Sequence, residues 1–340
     1  ESAYGFIKRK GKPDVHFDRD SFKGKPPVKG DEVVFDVVKQ ERGHHAMNLR
    51  FSTPFYESET IQYILPKDTN AIIDTQTIDN FNLKLNKVPP FEENKSDYSK
   101  SKFILLKTDK RGEVVLAVLP DYSKLAIKAI AERHKHSIEK LNIQSKSIIL
   151  KPEWRMVIGL GNESVYETSM TLHHIYGIPY IPGSAIKGVV RSHIITEAFG
   201  RDEKRALKEK WFCDFFGSPT NRFDNEGRQG KLIFFDAFPI EAPKIEPDVM
   251  NVHYPDYYGG SKPPADYQNP HPIFFLTVRN SAFQFMIGIK NKDNTIIKDG
   301  AFKGQYILKV AENCVKEALS EHGIGAKTAV GYGYMSRHGN

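Results

Sequence analysis

The sequence predicts an α+β protein: a small all-β barrel, then a sheet carrying two helices on one face. Three observations lead there. Short strand patterns fill the first fifty residues. The second half reads in the order β-α-β-β-α-β, which fits a ferredoxin-like sheet. The composition, 39% hydrophobic and 27% charged over 340 residues, suits a folded chain of roughly two domains.

The barrel is placed at residues 1–52. Its strands are Tyr4–Ile7, Asp14–Phe17 and Glu32–Val38. The last puts Val33, Phe35 and Val37 on one face and Glu32, Val34 and Asp36 on the other, after a Gly30-Asp31 turn. The second domain is placed at 53–340. It opens with a polar, poorly patterned stretch to residue 100, then strands Phe103–Lys107 and Glu113–Leu119. A helix over Tyr122–Leu141 follows, with Leu125, Ala126, Ala129, Ile130, Ile138 and Leu141 as its apolar stripe. Trp154–Leu160 reads as a strand. A helix starts after Pro182-Gly183-Ser184, and Lys231–Phe238 is a strand. The proline-rich segment at about 239–272 is too long for a plain connection and is expected to be a functional insertion. Phe283, Phe285, Ile287 and Ile289 alternate as in a half-buried strand. Ile307, Val310, Ala311, Cys314, Val315 and Ala318 have helical spacing, with Gly323 at the C-terminal cap. Ala329–Met335 is the last strand.

Several classes are excluded. No run of about 18 apolar residues occurs, so no transmembrane helix and no membrane partner are expected. Lys8, Arg9, Lys10 and Lys12 sit where a signal peptide would need apolar residues. Two cysteines, Cys213 and Cys314, rule out a disulfide scaffold and a Cys-only zinc site, and point to a reducing cytoplasm. The 49 Lys plus Arg against 42 Asp plus Glu leave a charge of +7. With 22 Phe and 15 Tyr, single-stranded nucleic acid is the favoured partner, held by stacking and by cations on phosphates.

Three segments carry candidate chemistry. In Ile181–Arg191, Gly183 helps break the chain and Ser184 reads as the N-cap of a helix. Ile186, Val189, Val190 and Ile194 face the sheet, and Lys187 and Arg191 share another face. A phosphate fits such a helix start; the plainer alternative is a capped helix with two solvated charges. In Gly323–Tyr334, the loop with Gly323, Gly325, Lys327, Thr328 and Gly331 looks like a P-loop. However, Ala326 precedes Lys327 and no helix follows, so ATP binding is not expected. Its amides, with Lys327 and Thr328, suit a phosphate chain; the alternative is a C-cap and a bulged edge strand. The two segments are expected to flank one groove. In the barrel, Tyr4, Phe6 and Phe17 with Lys8, Arg9 and Lys10 suggest a stacking platform; the less favoured alternative is that the rings are core.

Catalytic groupings are sparse. His173-His174 lacks metal-type spacing, and His44-His45 falls in a predicted turn. Asp236 is a metal-ligand candidate without a carboxylate neighbour, and for Asp248, Asp256 and Asp266 solvation of the insertion is favoured over metal binding. Cys213 and Cys314 read as core. No catalytic residue, metal or cofactor is expected.

Longer motifs resemble a known family. Arg155–Gly161, Glu167-Thr168, His173–Ser184, Lys187-Gly188 and Arg191 look like the RAMP superfamily. Asp248–Asn251, His253-Tyr254, Pro263–Tyr267, Gly323–Thr328 and Gly331–Gly333 narrow the likeness to the sixth RAMP subunits of type III-B (Cmr) CRISPR effector complexes, over about residues 150–335. The resemblance implies a modified RNA-recognition-type fold that binds CRISPR guide RNA without catalysis. It also implies a cap on the RAMP filament near the guide's 3′ end. The neighbours it implies are the backbone RAMP subunit and the small helical subunit, with target RNA reached indirectly. It assigns guide-backbone contacts to the helix of Ser184, Lys187 and Arg191 and to the glycine-rich loop. Residues 1–50 look like a cold-shock, OB-type barrel. Tyr4 and Phe6 match its first aromatic motif and Val15-His16-Phe17 the end of its second, but Pro13-Asp14 replace one aromatic, and the opening strand is expected upstream of Glu1. This barrel is expected to hold single-stranded RNA or to dock on a neighbouring subunit. The rival reading is a metal-independent RAMP endoribonuclease processing guide precursor, with His173 or His45 as general acid–base. A stand-alone cold-shock-type RNA chaperone leaves residues 150–335 unexplained.

Overall fold

The structure, a computed structural model, describes residues 5–9, 12–21, 33–40, 43–51, 62–63, 65–74, 77–94, 101–108, 114–219, 227–252, 260 and 271–338. The chain divides into two compact units. One comprises Glu1–Gln62, Phe91–Ser101 and Leu106–Val115; the other comprises Tyr63–Pro90, Lys102–Leu105 and Leu116–Asn340.

In the first unit, β1 (Gly5–Arg9), β2 (Lys12–Phe17), β3 (Val33–Gln40) and β4 (Gly43–Phe51) form an open sheet in the order β1-β2-β4-β3. Among the described residues the expected barrel is not closed. β2 meets β4 in parallel at His16 and His45, and the other pairings are antiparallel. The period-two alternation of a strand turns Val15 and Phe17 to one face. There they pack with Ala46, Ile7, Val33 and Phe35. This corrects the placing of Phe17 on a stacking platform: it is 8% exposed, and its ring fills the space beside Gly5. Tyr4 and Lys10 lie outside the described residues. His44 and His45 also differ from expectation, since they belong to β4 and not to a turn. Gly43, at positive φ, is the first residue of that strand.

The second unit is built on α1 (Ile127–Glu139), β5 (Ile143–Pro152), β6 (Arg155–Met156), α2 (Gly183–Phe199), β7 (Leu232–Phe234), β8 (Phe238–Pro239), β9 (Lys244–Val252), β10 (His271–Arg279), β11 (Phe283–Lys290), α3 (Ile307–Glu321) and β12 (Met335–Arg337). Its main sheet runs β7-β11-β5-β12, all antiparallel, with β8 also paired to β11. Ile186, Val190 and Ile194 of α2 are buried, as are Val310, Cys314, Val315 and Ala318 of α3.

Four expectations change here. The first long strand is Ile143–Pro152, not Trp154–Leu160. Ile148, Leu150 and Pro152 turn inward, but the apolar Ile149 between them, 40% exposed, and the polar Ser145–Ser147 before them obscure the alternation. The apolar Val157 and Ile158 bond instead to loops, through Ala326 N–H and Thr171 N–H. β11 is buried on both faces, because Gln284 and Met286 are covered as well. A Cβ on Gly288 would lie 3.2 Å from Phe235, whose ring sits against His134 of α1. The proline-rich segment contains β9, whose nine residues pair with β10 in a second sheet, β6-β10-β9. Pro247 is tolerated because β9 is an edge strand; residues 253–259 and 261–270 lie outside the description. The last strand shrinks to Met335–Arg337, since Thr328–Val330 form a 3-10 turn. Among the described residues, no helix is long and apolar enough to cross a membrane.

Candidate nucleic-acid interface

The start of α2 is already occupied by the protein's own groups. Pro182, not Ser184, is the N-cap, and its carbonyl accepts from Ala185 and Ile186. Ser184 lies exposed inside the first turn. Gly183 is needed for close approach: a Cβ there would sit 2.2 Å from the carbonyl oxygen of Phe234. Its N–H donates to Asp236 Oδ1 at 2.8 Å. Asp236 thus supplies the anion that a helix N-terminus attracts, which replaces its reading as a metal ligand. Arg191 donates to Glu203 at 2.7 Å, and its guanidinium lies 5.3 Å from the centre of the Phe212 ring. Lys187 is half-buried and has no ion pair among the described residues.

The glycine-rich loop is different. α3 ends at His322, and Gly323 follows with φ of 70°. Gly325 has φ of 99° and sits so close to β6's continuation that a Cβ would lie 2.2 Å from Val157 O. Ala326 N–H donates to that same oxygen. Lys327 takes the left-handed conformation, φ 63°, at a cost of roughly 1–2 kcal/mol for a non-glycine residue. Its Nζ lies 5.4 Å from the Phe275 ring centre and 3.8 Å from Met250 Sδ. Among the described residues Lys327 has no carboxylate partner, and the N–H groups of Gly325 and Lys327 have no acceptor. Thr328 is half-buried and Gly331 is exposed. A cation beside two open amides is a ready anion cradle.

Below the loop, Arg155 binds Asp248 at 2.9 Å and Glu246 at 3.3 Å, and Tyr332 donates to Asp248 at 2.7 Å. Burial, then the Asp248 hydrogen bond, pushes the Tyr332 phenol up to about 12. Asp248 is thus a structural anchor and not a solvating residue. Trp154 is 46% exposed, with its ring 4.8 Å from Tyr332. Sequence reading passed over it, although a Trp beside Arg155 is a stacking signal.

No hydrogen bond, ion pair or ring contact joins the α2 start to the loop among the described residues. The first packs on β7 at one edge of the sheet, whereas the second leads into β12 at the other. The expected shared groove is therefore not formed by direct contact. In the first unit, Phe6 is 68% exposed and Lys8 is exposed on the same face. His16 pairs opposite Phe6, ring to ring at 5.3 Å. Arg9 donates to Pro13 O. His173 Nδ1 accepts from the amides of Ile175 and Tyr176, and burial holds its pKa below the usual histidine value.

A family model for the RAMP superfamily matches residues 153–336, more than half of the chain and inclusive of both segments. The chain belongs to the RAMP superfamily. This RAMP chain is homologous to the CRISPR system Cmr subunit Cmr6 of Pyrococcus furiosus, with 35% identity over 54% of this chain and 66% of that protein. It is also similar to Cmr6 of Saccharolobus solfataricus, with 26% identity over 61% of this chain and 60% of the relative. Each alignment covers less than two thirds of the relative's length. Among solved structures, it is similar to a chain in the cryo-EM structure of the type III-B Cmr-beta bound to cognate target RNA, at 24% identity and TM-score 0.47 over 62% of this chain and 64% of that one. The crystal structure of Cmr6 from Pyrococcus furiosus matches at 32% identity and TM-score 0.35, over 58% of this chain and 99% of that one.

Proposed function

We propose that this RAMP chain is a non-catalytic RNA-binding subunit of a type III-B CRISPR ribonucleoprotein. It holds the guide RNA backbone near its 3′ end and caps the RAMP filament, beside the backbone RAMP subunit and the small helical subunit. The complex acts on target RNA in the cytoplasm. The observation that carries the reading is Lys327, which among the described residues has no carboxylate partner and lies beside two amides without an acceptor, on a loop within the RAMP match of a chain homologous to Cmr6. The strand order β7-β11-β5-β12, with α2 and α3 in the two crossovers, supports a ferredoxin-like core. The exposed Phe6 and Lys8, beside the half-buried His16, support an OB-type unit that stacks single-stranded RNA. Contacts to phosphate and sugar accept any guide sequence, so affinity depends on salt and little on base order.

The endoribonuclease alternative has less support. His173 uses Nδ1 to accept two backbone amides. His45 is buried between His16, Ser21 and Asp18. Two experiments test the proposal. Pull-down of the tagged chain from its host with RNA sequencing is expected to recover CRISPR guides and other RAMP subunits; bulk cellular RNA without those subunits would overturn it. Guide precursor incubated with the chain in EDTA is expected to stay intact. Product that disappears in His173→Ala would establish the enzyme instead.

A further inference from the structure

α2 and α3 pack side by side, and metal-type ligands converge near their C-terminal ends. His193 and Glu197 stand one turn apart on α2, and His322 caps α3. Each offers one ligand atom, and the three atoms lie within 4.8 Å of one another. His322 Nε2 is 3.6 Å from Glu197 Oε1, and the His193 and His322 rings are 4.8 Å apart at 79°. From α3, Glu317 and Glu321 each bring a carboxylate oxygen to 4.0 Å from a His193 ring nitrogen.

A second observation points to an occupant. His193 is 5% exposed, and its Nδ1 is buried without a hydrogen-bond partner. A cavity of about 240 Å³ opens beside it, walled by Ile194, Ala198 and Phe302. Among the described residues, the ion pairs of Glu197, Glu317 and Glu321 run to histidines and not to lysine or arginine. The negative ends of two helix dipoles add to the same field. Imidazole with carboxylate suits a borderline divalent ion. Ligand atoms around tetrahedral zinc, bound at about 2.0–2.1 Å, lie roughly 3.3 Å apart. The 3.6 Å between His322 and Glu197 is near that spacing, and the trio, within 4.8 Å of one another, reaches it by side-chain rotation.

We propose that His193, Glu197 and His322 bind one zinc-type divalent cation, with Glu317, Glu321 or water completing the shell. The ion ties the end of α3, and so the root of the glycine-rich loop at Gly323, to α2. The test uses the full chain, stripped with chelator and titrated with Zn²⁺ by calorimetry. One ion per chain and a higher Tm are expected. Co²⁺ in its place is expected to give the visible absorption of a tetrahedral site. Glu197→Gln and His322→Ala change partly exposed residues and are expected to fold. Each is expected to weaken binding by more than the ~10–100-fold that loss of an outer-shell partner costs a metal site. Absence of stoichiometric binding would overturn the proposal. So would binding unchanged in both variants, including binding that disappears only with His16→Ala.

Discussion

The start of α2 and the loop after α3 look alike in sequence, each with glycines and a lysine placed to meet a phosphate. Folded, they differ. At α2 the helix N-terminus is filled by Asp236 and Arg191 is held by Glu203, so that of the local charges Lys187 alone has no ion pair among the described residues. At the loop Lys327 faces an aromatic ring and a thioether, with two amides open. A helix dipole attracts the nearest anion, and a carboxylate from the same chain is present at far higher effective concentration than any ligand. Basic residues at a helix start therefore mark a phosphate site only where no internal acid reaches them.

The contrast can be broken first with glycine substitutions, where the largest effects are expected. Gly325→Ala places a methyl 2.2 Å from Val157 O at a left-handed φ, so the loop must leave its seat. Guide RNA affinity, measured by filter binding, is expected to fall by on the order of 10-fold or more, as ~1–3 kcal/mol of overpacking strain displaces the amides. Gly183→Ala meets Phe234 O at the same distance. It is expected to lower Tm while folded protein keeps its RNA affinity; equal loss of RNA in both would erase the contrast. Next in size, Lys327→Ala is expected to reduce the salt dependence of guide binding by about one unit of log–log slope, uniformly across sequences. Lys187→Ala is expected to shift it less. Arg191→Ala loses its pair with Glu203 and its contact with Phe212. It is expected to cost about 0.5–1 kcal/mol in urea unfolding, with RNA affinity unchanged. The smallest effect concerns acid. The hydrogen bond from Lys244, with Arg155 and Arg279 nearby, holds the Glu246 carboxyl below its usual range. A depressed folded pKa stabilises above the unfolded value of about 4.3 and is lost as pH falls through the folded one. Hydrogen exchange is expected to show β9–β10, on which the loop rests, loosening below about pH 4 while β11 stays protected.

Much of the frame was legible. The 3.6-residue stripes of Ile186, Val190 and Ile194 and of Val310, Cys314 and Val315 are the buried faces of α2 and α3. The Gly323–Gly333 segment is the loop that its glycines and lysine suggested. Other features were hidden for identifiable reasons. Pro247 masked β9, because a proline reads as a break unless the strand is known to be an edge. Phe283–Ile289 read as half-buried, because periodicity reports one covered face and cannot report that Phe235, packed on His134 of α1, lies over the other. Phe17 looked like a platform ring, yet it shares the inward side with Val15. The His193, Glu197 and His322 cluster has no short motif, since its third member comes from another helix.

By itself the sequence determined the family, the two long helices of the second unit and the two segments worth testing. These follow from local spacing, propensity and motif, which act within a few turns of chain. Tertiary structure decided which charges are answered within the chain. Asp236 reaches Gly183 across 53 residues and Arg191 meets Glu203 across 12. Charge neutralisation depends on distance in space, and only the fold sets that distance.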